Sequence, residues 1–266
     1  MNRETKSVWQ CRSLRFDLSR PRVMGIVNVT PDSFSDGGPW FDAARAVEHG
    51  LRLVADGADI VDIGGVSTRP GAVDVDEAEE LRRVLPVVEG LARQTETPLS
   101  IDTFRAGVAR QAIAAGACIV NDVATFDGDE QMAAVVRETG AGIVLTHSVA
   151  GEVKAGLEAA LAYARGQGIA QAACVIDPGL GFAKTTEQNV AALRRLGEWA
   201  AMAPVLIGAS RKRFIGELCR EADPGARLGG SVGAAVWSAL HGAAIVRVHD
   251  VKATAEALRV VRAMEA

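Results

Sequence analysis

The chain has 266 residues, 48% of them hydrophobic, and a net charge of −4 from 33 acidic and 29 basic side chains. That content is ample for a large core, and nothing global favours nucleic acid or an anionic membrane, so attraction for an anionic ligand has to be local. The 4 cysteines form no Cys-x-x-Cys pair, and no apolar run reaches the ~18 residues of a membrane span; the opening MNRETKSVWQ has no apolar signal core. The expectation is a cytoplasmic protein with reduced thiols.

In chain order, residues 1–20 are mixed and polar, and RSLRFDLSR predicts a short hairpin that plugs one end of the fold. VMGIVNV (23–29) is an apolar run bounded by Pro21 and Pro31, the pattern of a strand buried on both faces. A polar loop with Gly37 and Gly38 follows, then a helix over 42–58. DIVDIGG (59–65) is the next strand; VSTRPGAVDVD leads to a helix over 76–94, which Pro86 is expected to kink. Strands and helices then alternate: strands at 98–102, 117–122, 141–147, 173–178, 204–208 and 243–250, and helices over 105–115, 129–139, 153–166, 187–199, from 211, over 230–242 and over 253–264. Alternation of this kind predicts a parallel sheet, because parallel neighbours need crossover helices.

Eight strands, nearly all ending in a polar residue, favour an α/β fold of the closed (β/α)8 TIM-barrel type over an open doubly wound sheet. The whole chain, 1–266, is expected to be one domain, with 1–20 as an N-terminal extension. The polar ends are Asn28, Asp62, Asp102, Asn121, His147, Asp177, Ser210 and His249. Any one of them is explained by turn formation. Together, at one barrel mouth, they predict a polar ligand, since buried carboxylates and amides without partners are costly. Asp102, Asn121 and Asp177 suit a flat heterocycle with adjacent N–H donors. Arg69, Arg211, Lys212, Arg247 and His249 form a cationic set, mostly after the seventh and eighth strands, where barrels of this type bind phosphate. For at least one residue of Arg211–Lys212–Arg213 a solvated helix start is explanation enough. An arginine inside an apolar strand, Arg247, points more firmly to an anion. A diphosphate would recruit Mg2+, and Asn28 is well placed to help hold it.

MGIVNVTPDSFSDGG (24–38), DIGGVSTRPGA (62–72), IDT (101–103), VND (120–122), DPGLGFAK (177–184), GASRKRFIG (208–216) and RVHDV (247–251) together resemble dihydropteroate synthase, from about residue 10 to the end. The resemblance implies a (β/α)8 barrel, usually a homodimer, in folate biosynthesis and targeted by sulfonamides. It implies condensation of 6-hydroxymethyl-7,8-dihydropterin diphosphate with 4-aminobenzoate through a pterin carbocation, releasing diphosphate. Carried over by position, Asn28 would hold Mg2+, and Asp102, Asn121, Asp177 and Lys212 would grip the dihydropterin. Thr68, Arg247 and His249 would bind the diphosphate, and Phe182 and Lys212 would line the aminobenzoate pocket. Ser67, Arg69 and Pro70 fall in one mobile loop of the family and Asp36 in the other, so 30–38 is expected to act as a lid. Asp102, Lys212, Arg247 and His249 are the expected catalytic set.

The chain departs from the family pattern at Val66, usually Glu, at Thr146-His147-Ser148, commonly Met-His-Met, and in a shorter region over 151–171. Two rival readings are a pterin-binding domain of a corrinoid-dependent methyltransferase and a catalytically silent pterin-binding protein. The first has no diphosphate to bind, so STRPG, SRKR and RVHD would lack a purpose in it; the second is suggested by Val66 and Thr146-His147-Ser148.

Overall fold

The computed structural model describes residues 8–29, 39–66 and 75–265. An antiparallel hairpin, β1 (Val8–Cys11) and β2 (Leu14–Asp17), comes first. It starts earlier than RSLRFDLSR predicts because Trp9 and Cys11 alternate inward with the buried Phe16. Eight parallel strands follow: β3 (Arg22–Asn28), β4 (Ile60–Gly64), β5 (Leu99–Asp102), β6 (Ile119–Asp122), β7 (Gly142–Thr146), β8 (Cys174–Asp177), β9 (Val205–Ile207) and β10 (Ala243–Val248). They pair in chain order, and β10 closes on β3, giving the expected barrel.

Among the described residues, ten helices lie between and after these strands on the outside: α1 (Pro39–Ala55), α2 (Glu77–Ala92), α3 (Ala106–Ala114), α4 (Met132–Thr139), α5 (Val153–Gly166), α6 (Thr186–Arg194), α7 (Leu196–Ala200), α8 (Arg213–Cys219), α9 (Leu228–Leu240) and α10 (Val251–Glu265). Their starts are written in the sequence. Asp76 caps α2 by accepting from the Glu79 amide at 2.8 Å, with three glutamates in the first turn against the positive end of the helix. Thr185 and Gln188 form a reciprocal capping box on α6. Of the boundaries that differ from the periodicity, two have a visible cause. The helix expected over 129–139 begins at Met132, because Asp129 turns its carboxylate to the Ala106 amide (2.9 Å) and so caps α3. The helix expected over 187–199 is two helices, broken at Arg195, whose φ of −97° and ψ of 9° leave the helical region.

Because side chains alternate along a strand, each strand feeds two cores. The outward rows, such as Val61, Ile63, Leu99, Ile101, Ile143 and Leu145, pack beneath the helices. The inward rows start apolar: Met24, Ile60, Ile119, Val144, Val175, Leu206 and Ile245 fill the lower barrel together with Trp9, Cys11, Phe16 and Leu18 of the hairpin. The Trp9 indole N–H is satisfied by Ala173 O at 2.8 Å. Gly142 makes room for this plug: a Cβ there would stand 2.5 Å from Cys11 Sγ and 3.0 Å from the Trp9 ring. Higher up the same rows turn polar, and this change of character inside one barrel makes the site.

Candidate active site

Four strands contribute to one cluster around a guanidinium. Arg247, inward on β10, donates from Nε to Asp62 Oδ2 (2.6 Å) and from Nη2 to Asp102 Oδ2 (2.6 Å). Asp62, fully buried on β4, also accepts from Asn121 Nδ2 of β6 at 3.1 Å. The register explains the meeting, since Asp62 faces Ser100 across β4–β5 and Asp102 faces Asn121 across β5–β6. Burial would lower the Arg247 pKa, but Asp62 and Asp102 more than reverse this and keep the cation charged. Burial pushes the Asp102 carboxyl up to about 7 against the pull of Arg247, with the Asp62, Glu80 and Asp122 carboxylates adding to the rise.

The opposite wall is built by the loop after β8. Asp177 is buried and its carboxylate accepts from the Gly179 amide at 2.8 Å. Burial raises its pKa, opposed first by the Lys212 ammonium. Gly179 (φ +68°) and Gly181 (φ +80°) occupy left-handed positions, and a Cβ would meet His147 O at 2.0 Å and Lys212 Cδ at 2.9 Å respectively. Lys212 is the N-cap of α8, donates to Leu180 O, and its ammonium sits 4.7 Å from the centre of the Phe182 ring. Burial lowers its pKa to about 8, Asp177 opposing and Arg247 reinforcing. His249 lies just past β10 and is oriented by Ser210, whose Oγ lies 3.1 Å from Nδ1 and accepts from the His249 amide at 3.2 Å.

Of the residues expected at the site, Asp102, Asn121, Asp177, Phe182, Lys212, Arg247 and His249 stand around this mouth, and half-buried Asn28 ends β3 opposite Gly64. Asp36, Ser67, Thr68, Arg69 and Pro70, with the proposed lid, lie outside the described residues. Three members of wider sets have other duties. Arg211 is locked to Asp250 by contacts of 2.5 and 3.0 Å, and Arg213 pairs with Glu217 on an exposed helix start. His147 turns its ring towards α5, where a Cβ on Gly156 would come within 2.1 Å of it.

Two residues matter more than the sequence alone indicates. Asp62 was one polar strand end among eight, yet it holds both Arg247 and Asn121. Its place two residues above the inward Ile60 was the available signal. Lys184 donates to His147 O (3.0 Å) and Phe182 O (3.2 Å), and no periodicity marks it.

Known proteins agree with this fold. Residues 24–249 match the model of the family described as pterin binding enzyme. The dihydropteroate synthase of Mycobacterium leprae is 47% identical, covering 92% of this chain and 94% of its own. The structure of Xanthomonas albilineans dihydropteroate synthase with 4-aminobenzoic acid superposes with a TM-score of 0.94 at 46% identity, over 98% of this chain and 99% of that one. The same enzyme in complex with 7,8-dihydropteroate gives a TM-score of 0.91 at 44% identity, over 97% and 99%. The chain belongs to the pterin-binding enzyme family and, within it, to the dihydropteroate synthases.

Proposed function

We propose that the chain joins 6-hydroxymethyl-7,8-dihydropterin diphosphate to 4-aminobenzoate, giving 7,8-dihydropteroate and diphosphate, as one pterin-binding domain over 1–266. One observation supports this most: a single mouth carries both a carboxylate–amide set and a cationic set, bridged by Arg247. Asp102, Asn121 and Asp177, with Lys212, grip the edge of the flat pterin, where a carboxylate accepts two parallel N–H bonds. Thr68, Arg247 and His249 bind the diphosphate. Phe182 and Lys212 line the aminobenzoate pocket, and Arg69 and Pro70 help enclose it.

The bond from the pterin methylene carbon to the diphosphate oxygen breaks first, its electron pair leaving with the diphosphate. Arg247 and Lys212 stabilise that growing negative charge, and Asp102 faces the carbon left positive. The 4-aminobenzoate nitrogen then supplies its lone pair to the new C–N bond and releases a proton. No strong base is required, because an aniline is uncharged at neutral pH. Among the described residues no group of three His, Cys, Asp or Glu side chains forms a metal cage. The amide oxygen of Asn28 fits the lesser need of a Mg2+ that arrives on the substrate, since such an ion takes only one or two protein oxygens. When bound, the ion neutralises charge on the departing diphosphate.

The protein works as a homodimer in the cytoplasm. α9 contains no charged residue, and its outward stripe runs Gly229, Gly233, Trp237, Leu240, with Trp237 45% exposed; such an apolar face asks for a partner. No helix among the described residues is long and apolar enough to cross a membrane.

Incubation with dihydropterin diphosphate, 4-aminobenzoate and Mg2+ is expected to yield dihydropteroate and diphosphate. Ligand binding without product, or methyl transfer from methyltetrahydrofolate to a corrinoid, would overturn the proposal.

A further inference from the structure

Lys184 is a cation for which the reaction above has no use. It stands two residues after Phe182, half-buried, where the loop from β8 meets α6. Its ammonium donates to two carbonyls from different strand-end loops: His147 O, just past β7, at 3.0 Å, and Phe182 O, past β8, at 3.2 Å. The loop needs such a tie. It passes through left-handed backbone at Gly179, Gly181 and Ala183 (φ +68°, +80° and +43°), so its carbonyls have no regular ladder to join. Its other supports are the Asp177 carboxylate on the Gly179 amide and the Asn189 side chain on the Gly181 amide (2.7 Å). Asn189 is itself held in turn, its amide donating to Thr185 O at 2.7 Å. Lys212 grips Leu180 O. The two lysines therefore hold the segment 180–182 at its two ends, and the Phe182 ring lies under Lys212.

We propose that Lys184 is a positioning residue: by tying the β8 loop to the end of β7 it fixes the Phe182 ring, and so sets the affinity for 4-aminobenzoate without touching it. This rests on the reading that Phe182 lines the aminobenzoate pocket. Burial lowers the Lys184 pKa while Asp177 raises it. The ammonium is held by geometry that the neutral isostere methionine cannot reproduce.

The test is steady-state kinetics on Lys184→Met, Lys184→Arg and Phe182→Ala, with both substrates varied. Lys184→Met, which loses both charge-assisted bonds, is expected to raise KM for 4-aminobenzoate about tenfold, since the loosened loop passes on only part of that loss. KM for the pterin diphosphate and kcat should stay within about threefold. Lys184→Arg, which also spans two carbonyls, is expected to restore the aminobenzoate KM. Equal rises in both KM values, a fall in kcat alone, or no rescue by arginine would overturn the proposal. If Phe182→Ala raises the aminobenzoate KM and Lys184→Met does not, only the role of Lys184 fails. If Phe182→Ala leaves that KM unchanged, the pocket reading fails and this inference with it. Were Lys184→Met to melt below the assay temperature, Lys184→Gln is held to the same split.

Discussion

Asp62 is the residue whose removal tests the site most directly. It is fully buried and its Oδ2 takes both the Arg247 Nε and the Asn121 amide. Asp62→Asn keeps the shape and deletes the charge. Taking one partner from a buried ion pair destabilises by roughly 3–5 kcal/mol. Arg247 keeps Asp102, so the lower end, about 3 kcal/mol, applies here. An unfolding entropy of ~2.1 cal/mol/K per residue makes roughly 0.56 kcal/mol/K for 266 residues. The melting temperature should therefore fall by about 5 °C. Activity should fall further than stability, because the guanidinium then has one anchor and can rotate away from the diphosphate. A loss of about 10²-fold in kcat/KM is the scale of one misplaced electrostatic contact. Differential scanning fluorimetry and a diphosphate-release assay measure the two effects. A variant that melts like the parent and turns over at the parental rate would show that Asp62 does not orient Arg247.

Lys212→Ala and Arg247→Ala should each cut turnover by on the order of 10²-fold or more, and near-parental kinetics in both would remove them from the charge-handling set. In pH profiles, kcat/KM should rise as Asp102 ionises near 7 and fall as Lys212 loses its proton near 8. Lys212→Arg should erase the alkaline limb, since guanidinium keeps its proton. The raised Asp102 pKa also has a sign for stability. The native state retains a proton that the unfolded chain releases near its ordinary 3.8, so this contribution is full below that value and is lost as pH climbs to about 7. Urea midpoints of wild type and Asp102→Asn across that range should differ in slope accordingly. Trp237→Glu, on the uncharged stripe of α9, should halve the mass seen by light scattering; an unchanged mass would place the dimer contact elsewhere.

The barrel was legible because its signal is redundant. Each unit repeats an apolar run, a polar end and an amphipathic helix, and an error of a residue or two at one boundary does not alter the count. The candidate site was legible for a related reason: along β4, β6, β8 and β10 the inward row changes from apolar to polar, and the period of 2 carries that into the sequence. What was hidden depends on where side chains turn. Nothing local distinguishes Arg211, bound to Asp250, from Lys212 beside it, aimed at Leu180 O; a left-handed residue (φ +59°) at Arg211 sends the neighbours in different directions. Likewise His147 belongs to the polar ends by sequence, but the absence of a side chain on Gly156 of α5 admits its ring to the outer layer.

The plug formed by the N-terminal hairpin bears on how the chain is made. Trp9 finds its hydrogen-bond partner 164 residues later, at Ala173, and β3 meets β10 only when the last strand has been synthesised. During translation the earliest strands wait with open edges, and the hairpin has no barrel floor to close. β10 must therefore be synthesised before the barrel can seal, so a nascent chain stalled before it leaves the edges of β3 and β9 unpaired, which invites aggregation.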